Sequence, residues 1–197
     1  MGGTSIQKIL VVSGIVYLLV VGVLLVVEGG IYSPFRQSVG EPAAIAAAAR
    51  PSHLRIPRLG VDAIIQTTEV TKAGNIGIPT NYSDVAWFNG SAVPGSVGNA
   101  VMVGHRDTRI FAPGVFRNLN TLMAGDDVFI IEDGTGKTLH FRVVDTKTYY
   151  ENTDRLAEIV GSTDRSRLNL ITCEGNWNQA VKRYDQRLVV FTELVDN

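Results

Sequence analysis

The sequence predicts a mostly β domain, closed or nearly closed into a barrel and carried behind an N-terminal membrane-spanning helix. Three observations carry that expectation. Short apolar runs recur from residue 53 to the C-terminus, separated by turns rich in Gly, Pro, Asn and Asp. Helical spacing of apolar residues is confined to short stretches between them. The chain also opens with 19 consecutive uncharged residues, 9–27, ILVVSGIVYLLVVGVLLVV. A β-sandwich is the alternative packing of the same strands.

At about 1.5 Å per residue, a helix over 9–27 spans roughly 28 Å, close to the ~30 Å hydrocarbon core of a bilayer. A cleavable signal peptide has a shorter apolar core and a small-x-small edge. This run instead ends in Glu28-Gly-Gly-Ile-Tyr, so an uncleaved anchor is expected. Lys8 before the run, with Glu28 and Arg36 after it, sets residues 1–8 in the cytoplasm and the remainder outside. Residues 28–51 read as an extracytoplasmic spacer, polar and turn-like in SPFRQSVGEP, then Ala-rich up to Pro51. The folded domain is expected over 52–197.

Within it, HLRIPRLGVDAIIQ (53–66) holds two strands around a Pro-Arg-Leu-Gly turn. NAVMVG (99–104) is a compact strand. GVFRNLNTLMAG (114–125), with apolar residues at 115, 116, 119, 122 and 123, predicts a short helix. DVFIIED and LHFRVVDTKTYY flank Gly134-Thr-Gly136 and read as a hairpin. NTDRLAEIVGS (152–162) reads as a helical turn in a long loop. LNLIT (168–172) and RLVVFTEL (187–194) complete the strands. The formal net charge of −1 gives no field that would draw nucleic acid.

The chain has one cysteine, Cys173, which follows LNLIT. Structural cysteines outside the cytoplasm come in pairs, so a lone one is either a small buried apolar residue or a free functional thiol. A thiol needs a neighbouring imidazole or guanidinium to become a tuned nucleophile. Of the three histidines, His53 stands at a strand entrance and His140 alternates outward in LHFRVVD. His105 follows NAVMVG at a strand end and opens the polar run His-Arg-Asp-Thr-Arg. Arg187 opens an apolar strand. There it either reaches water or serves an anion, and beside Cys173 it has donors for an oxyanion.

Gly104-His105, Leu170-Ile171-Thr172-Cys173 and Arg187-Leu-Val-Val, in that order, resemble the sortase family of cysteine transpeptidases, and LRIPRLGVDAII resembles its opening strands. The likeness spans about 52–195, and the segments around GHRDT and VFRNLNTLMAGDDV look most like classes D and F, with class E close.

The resemblance implies an eight-stranded barrel on the outer face of a Gram-positive-type plasma membrane. It also implies cleavage of an LPXTG-type C-terminal sorting signal between Thr and Gly. Cys173 would attack the Thr carbonyl, Arg187 would hold the oxyanion with backbone N–H groups near Glu174, and His105 would pass protons at the leaving and incoming amines. The partners implied are secreted proteins bearing the signal and an amine of peptidoglycan or lipid II. No cofactor or metal is implied: Glu151, Asp154, Glu158 and Asp164 are scattered among Arg155, Arg165 and Arg167.

Thr172 is expected to hydrogen-bond near the substrate. Asp107 is a candidate to orient His105, with Arg106 and Arg109 as competing partners. Trp177 contacts substrate or packs its loop on the barrel, and Asn169 stands where the family often has Thr. Two other functions use the same residues or none of them: a hydrolytic cysteine peptidase, and an anchored β-barrel binding module with an inert trio.

Overall fold

The computed structural model describes residues 50–151 and 156–195, and the expected anchor and spacer lie outside those residues. Among the described residues no helix is long and apolar enough to cross a membrane.

Eight strands close a barrel. They are β1 (Pro51–Ile56), β2 (Val61–Thr68), β3 (Val85–Phe88), β4 (Gly98–Gly104), β5 (Asp127–Glu132), β6 (Thr138–Tyr150), β7 (Ser166–Asn178) and β8 (Arg183–Leu194). Around the barrel the order is β1-β2-β3-β4-β7-β8-β6-β5, and β5 returns to β1. Two neighbouring pairs, β2 with β3 and β4 with β7, are parallel. The rest are antiparallel. Closure leaves no sheet edge unpaired.

Period-2 alternation fills the interior. Leu54 and Ile56, Val128 and Ile130, Phe141 and Val143, Leu168 and Leu170, and Leu188 and Val190 point inward into one core. The segment 114–125 adds Phe116, Leu119 and Leu122 to it, all buried. The helix expected there is only a 3-10 turn, Leu119–Thr121. Burial of those three side chains fixes the segment without continuous helical bonding. One α-helix, α1 (Leu156–Val160), falls inside the 152–162 stretch read as helical.

The structure adds a strand and moves several ends. β3 is the short run Val85-Ala-Trp-Phe, which sequence reading passed over. Pro51, assigned to the spacer, is the first residue of β1, a place where its missing N–H is tolerated. β7 does not end at Thr172, nor does β8 begin at Arg187. The two strands continue as a ladder out to Asn178 opposite Arg183, with a register shift between Glu174 and Trp177. Gly175, at φ +83°, lies in that irregular stretch.

Candidate active site

β4, β7 and β8 are neighbours in the barrel; β7 carries Cys173, β8 carries Arg187, and His105 follows the last residue of β4. Cys173 lies directly opposite Arg187 in the β7–β8 ladder. Antiparallel partners share a face, so both side chains point outward, while the adjoining pair Thr172 and Leu188 points inward and is buried. β4 runs parallel to β7 with Val103 opposite Ile171. Two residues further along, His105 reaches the level of Cys173. Cys173 therefore has Arg187 directly across the ladder on one side and His105 at its level on the other, in the middle of a strand and not at its end.

Thr172 sets the level of β4 against β7. Its buried hydroxyl donates to the carbonyl of Gly104 at 2.9 Å, one residue before the histidine. That side chain faces the core, so its hydrogen bond positions the wall and is directed away from the outer face. Beyond Gly104 the chain folds back on itself. Phe116 N–H donates to the His105 carbonyl (2.9 Å) and Gly114 N–H to that of Arg106 (2.8 Å). A Cβ added at Gly114 would stand 2.5 Å from the His105 carbonyl oxygen, so the approach requires glycine.

The half-buried His105 ring has Nε2 3.2 Å from the carbonyl oxygen of Pro79 and lies 4.8 Å, centroid to centroid, from the Tyr82 ring. Asp107 does not take the orienting place considered for it. Its carboxylate, 3% exposed, accepts from the Tyr184 hydroxyl at 2.6 Å and pairs with Arg117 and Arg106. Arg117 and Tyr184 come from other segments, which is why local sequence could not select them over Arg109. Arg106 also donates to Glu174 Oε1 at 2.6 Å and lies 5.2 Å over the Tyr184 ring. This arrangement clamps the loop after β4 to the far half of β7. Trp177, 39% exposed, packs edge-on between Phe111 and Tyr184, and its indole N–H donates to Gln179. Asn169 is fully buried, donating to Asn99 Oδ1 and to the Ile159 carbonyl of α1.

Arg187 is held on three sides. Nη1 donates to the carbonyls of Tyr184 (2.9 Å) and Gln186 (2.8 Å), and Nη2 donates to Glu151 Oε1 (2.8 Å). A guanidinium has five N–H donors. These three bonds leave Nε–H and one Nη2–H for another acceptor. Glu151, read from sequence as a loop acid, is thus the counter-ion of Arg187 and also of Arg183. Glu158 pairs with Lys147. Asp154 lies outside the described residues, among which no group of acidic, His or Cys side chains is placed to hold a metal ion.

Burial pushes the Cys173 thiol above its ordinary range. Arg187 pulls it back down, Glu151 pushes it up again, and Arg106 and Glu174 add smaller opposed effects. At neutral pH the resting group is the thiol. The wall therefore presents a protonated sulfur level with an imidazole, which can carry a proton, and opposite a fixed cation with two spare donors. That set suits acyl transfer through sulfur.

The "Sortase domain" family model matches residues 54–195. No curated protein matches the chain. Solved structures with the same fold include a sortase D5 transpeptidase of Clostridium perfringens, 19% identical over 75% of this chain and 79% of that one, at a TM-score of 0.56. Sortase C-1 of Actinomyces oris is 22% identical over 74% and 73%, at 0.57. Sortase A of Listeria monocytogenes is 20% identical over 75% and 88%, at 0.54. These likenesses concern the fold. Scores of 0.54 to 0.57 across types A, C and D do not separate one type from another.

Proposed function

The chain belongs to the sortase family, and from that premise we propose that it is a membrane-anchored cysteine transpeptidase using Cys173, His105 and Arg187. The observation that carries the reading is the register of β4, β7 and β8, which brings Cys173 opposite Arg187 and level with His105 just past the end of β4. The substrate proposed is a secreted protein with an LPXTG-type signal, and the acceptor is an amine of peptidoglycan or lipid II.

Sγ of Cys173 attacks the Thr carbonyl carbon, and the negative charge moves to the carbonyl oxygen. The two uncommitted N–H groups of Arg187 hold that oxygen, in a site where fixed donors cost no reorganisation. As the oxyanion collapses, the Thr–Gly C–N bond breaks and its electron pair takes a proton from His105, releasing the amine. The thioester that remains is attacked by the acceptor amine. His105 removes the proton of that amine, the C–S bond breaks, and the product leaves joined to the acceptor. Since the resting thiol is protonated at neutral pH, its proton must leave before or during the attack, and His105 is the neighbouring base.

The full-length chain in detergent micelles, mixed with LPXTG-like peptides, tests this by intact mass. The expected result is an adduct of the peptide portion ending in Thr, absent in Cys173→Ala and discharged by added amine. No adduct with any peptide sinks the reading. An adduct that only water discharges moves the weight to a hydrolytic peptidase. The class D or F assignment is likewise proposed, on the GHRDT and VFRNLNTLMAGDDV segments. So is the location: a single-pass plasma-membrane protein with its N-terminus inside.

A further inference from the structure

The loop between β2 and β3, residues 69–84, is unusually well braced for a surface connection. Gln66 of β2 donates to Asp84 Oδ2 (2.8 Å) and accepts from both the N–H and the hydroxyl of Thr80 (3.1 Å each). Asn81 donates to the same Asp84 oxygen (2.7 Å), while its own Oδ1 caps the N–H groups of Ser83 and Asp84. Val115 N–H donates to the Tyr82 carbonyl (2.9 Å), next to the bond that ties Phe116 to the His105 carbonyl. The result of all this bracing is to set two groups against one imidazole: the Pro79 carbonyl on Nε2 and the Tyr82 ring, tilted 52° to it at 4.8 Å between centroids.

A peptide carbonyl can only accept. The ring nitrogen 3.2 Å from it must therefore carry hydrogen, in the neutral ring as in the imidazolium. The other nitrogen is then the one that gains and loses a proton. We propose that the β2–β3 loop belongs to the catalytic apparatus, with the Pro79 carbonyl holding Nε2–H of His105 and Tyr82 holding the ring plane, so that Nδ1 is the nitrogen that exchanges the proton. This rests on the transpeptidase reading for its use of that proton, but not for the state of the ring. Tyr82 is a positioning residue. It supplies in this chain the orienting role that Asp107, engaged elsewhere, does not fill.

The test begins with the ring itself. In full-length protein labelled with 15N-histidine and carrying His53→Gln and His140→Gln, one imidazole remains to be read. Its long-range 15N–1H correlations should show the neutral ring protonated at Nε2. Predominant Nδ1–H overturns the proposal, active enzyme or not.

Kinetics then address the loop. Tyr82→Leu should lower kcat of acyl transfer roughly tenfold or more with KM little changed, against the ~10²–10⁴ that general acid–base catalysis contributes in full. Tyr82→Phe, which keeps the aromatic ring, should restore it. Gln66→Leu cuts the brace without touching the imidazole and should lower kcat in the same way. If both Leu variants keep full kcat and the Nε2–H ring, the loop does not position His105. A ring protonated at Nε2 in a protein that forms no acyl-enzyme upholds the loop's hold on His105 and removes its catalytic use.

Discussion

The wall of the barrel built from β4, β7 and β8 links its charges into chains, whereas across the barrel β1 and β2 join theirs in a single exposed pair. On the first, Arg106 joins Asp107 to Glu174, Asp107 is shared with Arg117 and Tyr184, and Glu151 is shared by Arg183 and Arg187. On the second, Arg55 meets Asp62 with side chains 57% and 52% exposed. An exposed pair trades water for a partner at nearly equal free energy. A carboxylate shut away from water has no such exchange, and losing a partner leaves a charge with nothing to solvate it. Linked, half-buried charges therefore fix geometry where isolated exposed ones do not, and the linked ones surround the thiol.

The largest effect on stability expected from breaking this contrast is at Asp107. Asp107→Ala leaves Arg106 with Glu174 alone, turns the part-exposed Arg117 to water and frees the Tyr184 hydroxyl. It should cost about 1–3 kcal/mol in denaturant-unfolding experiments, the range for lost hydrogen bonds at a buried polar group whose partners keep other contacts. A loss under ~1 kcal/mol would show that the network is solvated after all. Next is Arg187→Ala, which should lower acyl-enzyme formation by about 10²–10³ with little change in stability, the range for removing an oxyanion donor. Arg187→Lys should recover only part, since it keeps the charge but not the fork of donors.

The contrast also marks what sequence could and could not disclose. His105, Cys173 and Arg187 were legible because each adjoins a short apolar run, and strand spacing shows from neighbours in the chain. Their placement at one level was not, because it depends on β4 pairing in parallel with β7, between segments some 70 residues apart. Cys173 was read as a strand end because Glu-Gly-Asn looks like a turn, yet the ladder with β8 carries the strand through it. Asp107 and Glu151 were visible as acids, but their partners, Tyr184 and Arg117 for one and Arg187 and Arg183 for the other, are chosen by the closed barrel. The short β3 escaped because four residues lie below the length at which alternation becomes a pattern.

A smaller effect separates the two roles of Glu151. Its carboxylate steadies Arg187 and at the same time helps to hold the Cys173 thiol up. Glu151→Gln removes the negative charge, so the thiol pKa should fall and the thiolate fraction at neutral pH should grow. Alkylation by iodoacetamide should then quicken a few-fold, since the thiolate is the reacting form. Added salt should shrink the difference between the two proteins, because the carboxylate is partly exposed and screened. Acyl transfer should move the other way, falling as Arg187 loses its tether. If both rates rise together, Glu151 restrains the thiol and does nothing useful for the guanidinium.

The smallest effect is the control on the whole comparison. Arg55→Ala, Asp62→Ala and the double variant, compared as a thermodynamic cycle, should give a coupling of about 0–0.5 kcal/mol, since both side chains are more than half exposed and their Coulomb attraction is largely screened. The rate of acyl transfer should be unchanged, because no charge on that wall is tied to β7 or β8. A coupling near 2 kcal/mol would mean that exposure alone does not set the worth of an ion pair on this barrel. The strength assigned to the Asp107 network would then have to come from the number of its partners and not from its burial. Measured beside Asp107→Ala under the same denaturant, the cycle separates those two causes.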